Sequence, residues 1–313
     1  MIVITGSSGY LGSHITRRLA QLGQAVRALV RNRTRAEREG RLAGLGVEWT
    51  EADVTNPETL PGALVGATSI IHNVAIAIEK GELTYESVNY QGTVNVVQAA
   101  QAVGVRRFIN ICQLGADSQL PYRFLASKGK AQDYVAASGL DWTAFRPSVI
   151  WGPEDEFANT FARLAPITPL IFPIIGDENA TFQPIWIEDV VTCVVKALQD
   201  PSTVGQDYEI GGPEELTLEE IERRTLEAID VKRWMVRFPM PLLRVIVSLM
   251  QMVFPSPPVN RNLLELLKIK NVPAHNTIDL FVDNPRPFSA ENVAQYMQKF
   301  TLSQTIAQFM DKK

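Results

Sequence analysis

Three glycines stand at even spacing directly after the apolar run Ile2-Val3-Ile4, in the segment Thr5-Gly6-Ser7-Ser8-Gly9-Tyr10-Leu11-Gly12. A glycine at position 6 permits a tight turn, and one at position 9 lets backbone amides approach a diphosphate with no Cβ between them. Gly12 allows the following helix to pack close to a sheet. Apolar residues at Leu11, Ile15, Leu19 and Leu22 repeat at helical spacing, so the turn leads into a helix whose first amides and dipole face an anion. A glycine-rich strand-to-helix turn with no ligand is the plain alternative. The strand-turn-helix context favours a dinucleotide diphosphate cradle formed by Gly6, Ser8, Gly9, Tyr10, Leu11 and Gly12.

The end of the second apolar run tests which dinucleotide. Folds that hold NAD place an acid about 20 positions on, where it bonds the adenosine ribose 2′-hydroxyl. This chain has Val30-Arg31-Asn32-Arg33 there. No carboxylate in that stretch repels a 2′-phosphate, and Arg31, with Asn32 beside it, can grip one through a forked guanidinium. NADP(H) is therefore expected in preference to NAD(H). Asp53-Val54 follows the third run, where the carboxylate either meets the adenine amino group or caps a helix ahead of Pro57.

These groups need a scaffold, and the first half of the chain supplies the pattern for one. Strands are expected at Ile2 to Ile4, Ala25 to Val30, Val47 to Glu51, Ser69 to His72, Arg107 to Ile111 and Trp142 to Arg146. Helices are expected between them, including Arg35 to Leu42, Glu86 to Ala102 and Ser127 to Ala137. Alternation of this kind predicts an α/β fold, a doubly wound, mostly parallel Rossmann sheet. The expected organisation is a Rossmann domain over 1–150 with contributions from about 185–212, and a smaller substrate or docking region over 151–313. Prolines at 166, 169, 173 and 184 argue against long regular elements there, whereas Thr217-x-x-Glu220 reads as a capping box opening a helix to Ile229.

Composition sets limits. The chain has 313 residues, 46% of them apolar, and a net charge of -4, so nothing basic points to nucleic acid. Its two cysteines, Cys112 and Cys193, form neither a metal cluster nor a disulfide framework, and no metal site is expected. Met1-Ile2-Val3-Ile4 runs straight into the glycine turn with no signal-peptide pattern, which together with the cysteine usage suggests a cytoplasmic protein, with a peripheral membrane position left open. The longest apolar stretch, Leu242 to Phe254, falls short of the roughly 20 residues of a membrane span. Its apolar residues fill most of a helical circumference. That favours burial, with a surface for a hydrophobic small molecule or a membrane-complex subunit through 238–255 as the other reading.

With these motifs in hand, the chain resembles the extended and atypical short-chain dehydrogenase/reductases. The resemblance is carried by Thr5 to Gly12, Asp53-Val54, Val88-Asn89-Tyr90-Gln91-Gly92-Thr93, Arg146-Pro147-Ser148 and Trp151-Gly152-Pro153. The segments from Gly152 to Phe157, Pro184 to Val190 and Tyr208 to Pro213 are similar to the branch that contains the nucleotide-binding accessory subunit of respiratory complex I. The resemblance implies Val74 and Ala75 along the cofactor, Lys128 at the nicotinamide ribose, Pro147 and Ser148 bordering the nicotinamide, and a structural role for Asn89.

Active members of that superfamily place a tyrosine four residues before the lysine, as proton donor. Here that position is Phe124, and Tyr122 lies six residues before Lys128, off the helical i,i+4 face. The serine expected after the fifth strand is replaced by Cys112-Gln113-Leu114-Gly115, in which Cys112 reads as a small buried apolar residue. The first expectation is thus a weakly active or non-catalytic NADP(H)-binding scaffold. The second is an NADPH-dependent reductase of a hydrophobic carbonyl or conjugated substrate using Lys128, and a nucleotide-sugar epimerase or dehydratase comes third.

Overall fold

The computed structural model describes residues 1–174, 180–254, 266–267 and 269–310. The chain divides into two compact units. The first comprises Met1–Pro147, Ile187–Ile210 and Ala274–Asn284, and the second Ser148–Trp186, Gly211–Pro273 and Pro285–Lys313.

The first unit is built on β1 (Ile2–Thr5), α1 (Tyr10–Gln21), β2 (Val26–Val30), α2 (Arg33–Glu39), β3 (Glu48–Glu51), α3 (Leu60–Leu64) and β4 (Ser69–His72). It continues with α4 (Gly92–Ala102), β5 (Arg107–Ile111), α5 (Arg123–Ala136), β6 (Asp141–Pro147), α6 (Ile187–Gln199) and β7 (Gln206–Ile210). The seven strands form one sheet in the order β7-β6-β5-β4-β1-β2-β3, with every pairing parallel. The chain runs outward from β1 through β2 to β3, then returns to lay β4 on the other side of β1. Strand order reverses at that point, so the loops after β1 and β4 diverge and leave a crevice at the carboxyl ends of the strands.

The elements follow from local chemistry. All four residues of β1 are buried, as expected of a central parallel strand covered on both faces. On α1 the fully buried Ile15 and Leu19 lie one turn apart, each contributing roughly 2 kcal/mol by leaving water. Asn32 Oδ1 accepts from the Arg35 amide at 2.7 Å and starts α2, and Gly40, left-handed at φ 72°, ends it. These two residues place the helix slightly earlier than its charge pattern suggests. The helix expected over Glu86 to Ala102 is divided. A π-helical stretch, Tyr85–Gln91, precedes α4, and a Cβ on Gly92 at the junction would lie 2.8 Å from Val54 Cγ2.

Beneath the glycine turn, β1 and β4 are tied by a buried imidazole. His72 Nδ1 lies 2.8 Å from Thr5 Oγ1, and its Nε2 lies 3.0 Å from Thr93 Oγ1. Thr5 Oγ1 also accepts from the Asn73 amide at 3.3 Å.

The second unit is assembled from short pieces. Ile150–Trp151 pairs in parallel with Ile185–Trp186, Thr181–Phe182 pairs antiparallel with Leu216–Thr217, and Ile171–Ile174 pairs in parallel with Trp234–Arg237. They surround a core that includes Trp151, Phe172 and Phe182. The capping box at Thr217 and Glu220 is present and opens the helix Leu218–Ala228. A buried carboxyl, Asp155, accepts amides from Phe157 and Ala158 at 2.8 and 2.6 Å, and burial pushes its pKa up to about 6.

The apolar stretch after Phe238 forms the helix Met240–Val253. Its expected burial holds for one face only: Leu243 and Val247 are buried, whereas Leu242, Val245, Leu249 and Met252 are exposed. Pro255, Pro257 and Pro258 lie outside the described residues. Among the described residues no helix is long and apolar enough to cross a membrane.

Burial holds His72 neutral, with its pKa lowered to about 3. An unfolded chain takes up that proton near pH 6.5 and the folded chain does not. The contribution of His72 is therefore fully present above that pH and is lost as pH falls from about 6.5 towards 3. Replacement of His72 by Gln is expected to flatten the acid limb of stability against pH in this window. A limb as steep as that of the wild type in thermal melts at stepped pH would contradict the assignment.

Candidate functional site: a nucleotide crevice at the strand ends

The turn after β1 is set by sterics. Gly6 is left-handed at φ 68°, and a Cβ there would lie 2.5 Å from the Asn73 carbonyl oxygen. A Cβ on Gly12 would lie 2.1 Å from the Gly6 carbonyl oxygen, so any larger residue forces α1 off the turn. Gly9 occupies the N-cap position of α1 in extended conformation, and no side chain caps the helix. The first turn of α1 also carries no acid. A helix start with no capping side chain and no acid is the arrangement that binds phosphate.

A cavity of about 200 Å³ lies at the carboxyl ends of the first four strands. Of the residues singled out in the sequence, Gly6, Ser8 and Gly9 line it from the turn after β1, and Arg31 from the end of β2. Asp53 and Val54 line it after β3, and Val74 and Ala75 after β4. Four loops far apart in the chain are therefore brought to one crevice by the parallel sheet. Thr55, Asn73 and Ile76 also line it, and no motif announced them; Val88, from the segment before Gly92, joins them.

Charge in the crevice is unevenly committed. Arg33 is paired with Glu37 at 2.7 Å and Arg35 with Glu39 at 2.8 Å, both one helical turn apart on α2. Arg31 is exposed, lines the cavity, and has no hydrogen-bond or ion-pair partner among the described residues. A carboxylate that sequence inspection of the β2 end could not reveal arrives from β3: Glu51 Oε1 accepts from the Arg33 amide at 2.6 Å. Asp53 is not the helix cap. Its Oδ1 accepts from the amide and hydroxyl of Thr55 at 2.9 and 2.8 Å, and Asn56 caps the short helix at Pro57.

Other expected residues sit outside this lining. Tyr10, Leu11 and Gly12 form the first turn of α1, where the Tyr10 ring meets His14 edge-on at 5.8 Å. His14 in turn contacts Glu188 on α6 at 2.5 Å. The Asn32 side chain is engaged in capping α2. The Lys128 ammonium is buried and donates to the Ile111 carbonyl at 2.7 Å, and desolvation lowers its pKa. Phe124, four residues earlier on α5, packs edge-on against Tyr85 at 5.6 Å. Tyr122 precedes the first residue of α5 and is 38% exposed. Pro147 ends β6, and its carbonyl accepts from Leu114 at 3.2 Å. The Ser148 hydroxyl, in the second unit, donates to the side-chain oxygen of Asn271 at 2.7 Å and is buried.

Two structural residues hold the walls. Asn89, in the π-helical stretch, accepts from the Ile76 amide at 2.8 Å and donates to the Ile76 carbonyl and to Ser127. It links the loop after β4 to α5. Cys112 is buried, and burial pushes its thiol pKa up, consistent with an inert core thiol. Among the described residues no group of three metal-ligating side chains occurs.

A parallel sheet with this strand order, and an uncapped glycine turn at its switch point, define a Rossmann-type dinucleotide-binding protein. The family model described as NAD(P)H-binding matches residues 6–165, and the chain belongs to that family. Over 289 residues it is 25% identical to the mitochondrial NADH dehydrogenase [ubiquinone] 1 alpha subcomplex subunit 9 of Arabidopsis thaliana, covering 91% of this chain and 72% of that protein. It is 28% identical over 241 residues to a ceramide reductase of Caulobacter vibrioides, covering 77% and 74%. The fold superposes on MoeE5 in complex with UDP-glucose and NAD with a TM-score of 0.69 at 16% identity, covering 94% of this chain and 96% of the other. The chain is thus an NAD(P)-binding protein of atypical short-chain dehydrogenase/reductase type.

Because the Gly6 carbonyl leaves no room for a Cβ at position 12, Gly12→Ala is expected to displace α1, costing about 1–3 kcal/mol of stability. It should also weaken dinucleotide binding in calorimetry. Wild-type affinity in the variant would show that the close approach does not shape the site.

Proposed function

We propose that this protein is an NADP(H)-holding scaffold of the atypical short-chain dehydrogenase/reductase type, with weak or no proton-transfer chemistry of its own, attached to a larger redox or membrane assembly. The observation that carries the cofactor preference is Arg31, a guanidinium on the cavity wall without a partner among the described residues. The glycine turn and the start of α1 would hold the diphosphate, Arg31 the 2′-phosphate, and Asp53 with Val54 the adenine. Val74 and Ala75 would flank the dinucleotide, Lys128 would serve its far ribose, and Pro147 and Ser148 would border the nicotinamide. The uncapped helix start and the space that no Cβ fills fit such a ligand. When bound, the dinucleotide supplies or accepts a hydride.

The reading of reduced chemistry rests on Phe124. It occupies the helical position four residues before Lys128, and its ring offers no proton. Tyr122 precedes α5 and is off that face. The Lys128 side-chain nitrogen is buried and donates to the Ile111 carbonyl at 2.7 Å. A bound dinucleotide would then add stability by binding only the folded state. The half-exposed apolar helix Met240–Val253, within 238–255, is the surface offered to a membrane-complex subunit or a hydrophobic small molecule. A cytoplasmic location, peripheral to a membrane, suits these features.

A second reading, an NADPH-dependent reductase of a hydrophobic carbonyl or conjugated substrate, is favoured by one observation. Burial lowers the Lys128 pKa, which makes its ammonium a readier proton donor. A nucleotide-sugar epimerase depends most on the tyrosine, and Phe124 counts against it.

Arg31→Met is expected to weaken NADPH binding by about tenfold or more and to leave NADH binding nearly unchanged. Tighter binding of NADH than of NADPH by the wild type would refute the preference. NADPH oxidation with quinones, enones and aldehydes, run beside Lys128→Met, separates the two readings. Turnover that vanishes with the lysine establishes the reductase and removes the scaffold. Silence in the wild type, with activity appearing only in Phe124→Tyr, supports the scaffold.

A further inference from the structure

We propose that the exposed apolar face of the helix Met240–Val253, together with the strand that carries Trp234, is a docking surface for an anionic lipid bilayer. The assignment rests on the peripheral-membrane part of the reading above and names its partner. On the helix, Leu242, Val245, Leu249 and Met252 recur at steps of three and four residues and are exposed, whereas Leu243 and Val247 are buried. One face therefore packs on the second unit while the opposite face, also apolar, meets solvent. A helix of 14 residues is about 21 Å long, enough to lie in a bilayer interface and too short to cross it.

The patch extends onto the strand just before the helix. Trp234 stands opposite Ile171 in parallel register, and its amide donates to the Leu170 carbonyl at 3.1 Å. Trp234 is 77% exposed and Leu170 73%. Only Phe238 and Pro239 separate that strand from the helix. An indole has an apolar body and one N–H donor, so an exposed tryptophan beside an exposed leucine suits the boundary between acyl chains and headgroups.

Charge selects the partner. Between positions 231 and 264 the chain carries Lys232, Arg233, Arg237, Arg244 and Arg261 and no Asp or Glu, although its net charge is -4. Lys232 is exposed at the start of the strand, and Arg237, exposed at its end, meets Glu219 at 2.9 Å. Arg233 lies between, its Nε donating to the Thr168 carbonyl at 2.8 Å. Basic side chains around an apolar face match a plane of acidic headgroups, which demands no one-to-one pairing. Each such charge near the surface gives roughly a fivefold gain in partitioning. A hydrophobic small molecule would instead need a concave site that encloses most of it, whereas Met252, 83% exposed, stands out into solvent.

The test is co-sedimentation of the full chain with two kinds of vesicle, one of phosphatidylcholine alone and one of phosphatidylcholine mixed equally with phosphatidylglycerol. The wild type is expected to bind the mixed vesicles about tenfold or more tightly than the neutral ones, and to be released as salt is raised. Leu249→Ser combined with Met252→Ser should lower binding to the mixed vesicles by about tenfold or more, and Trp234→Ser by a smaller factor. Lys232→Glu should weaken the mixed vesicles selectively. Val65→Ser, an exposed apolar residue of the first unit, should change nothing. All these positions are exposed, so melting temperatures should stay at the wild-type value. A wild type that ignores both vesicles, or a Leu249→Ser/Met252→Ser variant that binds as the wild type does, overturns the proposal. So does self-association of the wild type in solution that the same double variant abolishes, since a second copy would then be the occupant. NADPH calorimetry on the same samples tests the underlying reading separately. Vesicle binding by a wild type that takes up no NADPH, or that turns it over through Lys128, removes the scaffold and leaves the membrane face standing.

Discussion

The close approach of two backbone segments, at Gly6 and Gly12, is the constraint from which the rest of the site follows. A helix can present free amides to an anion only if its start stands clear of side chains and is held firmly against the sheet. Here the Gly6 carbonyl lies where a Cβ of residue 12 would be, and the Asn73 carbonyl lies where a Cβ of residue 6 would be. The turn is therefore wedged between α1 and the end of β4. His72 locks the floor below by bridging Thr5 and Thr93, and it can do so at neutral pH because burial keeps its ring uncharged. A charged imidazole in that place would lack any counter-ion in the network.

The second tier of the site is a distribution of charge. Arginines are frequent between residues 27 and 41, and three of the six are paired with acids. Arg27 meets Glu48, and Arg33 and Arg35 meet acids one turn along α2. Such exposed pairs add little stability, typically below about 1 kcal/mol. Their consequence here is to neutralise Glu37 and Glu39 beside a crevice in which Arg31 remains uncommitted.

Lys128 is buried on α5. Its ammonium is desolvated, and the only hydrogen bond described for it runs to a backbone carbonyl of β5. An aromatic pair, Phe124 with Tyr85, fills the adjoining face of α5, and the Tyr85 hydroxyl is itself spent on the Ala77 carbonyl. The helical position one turn before Lys128 is Phe124, which supplies no hydroxyl.

Much of this was legible in the sequence, because the forces involved act over short windows. Glycine spacing encodes local sterics, apolar runs of four or five residues encode buried parallel strands, and Thr217 with Glu220 encodes a cap three residues long. The four-residue spacing of Phe124 and Lys128 on one helix face could also be read directly. What only the tertiary structure decided was which distant groups meet. Glu51 comes to the Arg33 amide, Arg41 to Ser8, Asn89 to Ile76, and Asn271 to Ser148, across separations that no local pattern records. The π-helical widening before Gly92 and the half-buried face of Met240–Val253 belong to the same class, since each depends on what another element places alongside. Backbone preference is a property of neighbouring residues, whereas the partner of a side chain is fixed by the order in which the strands cross the sheet.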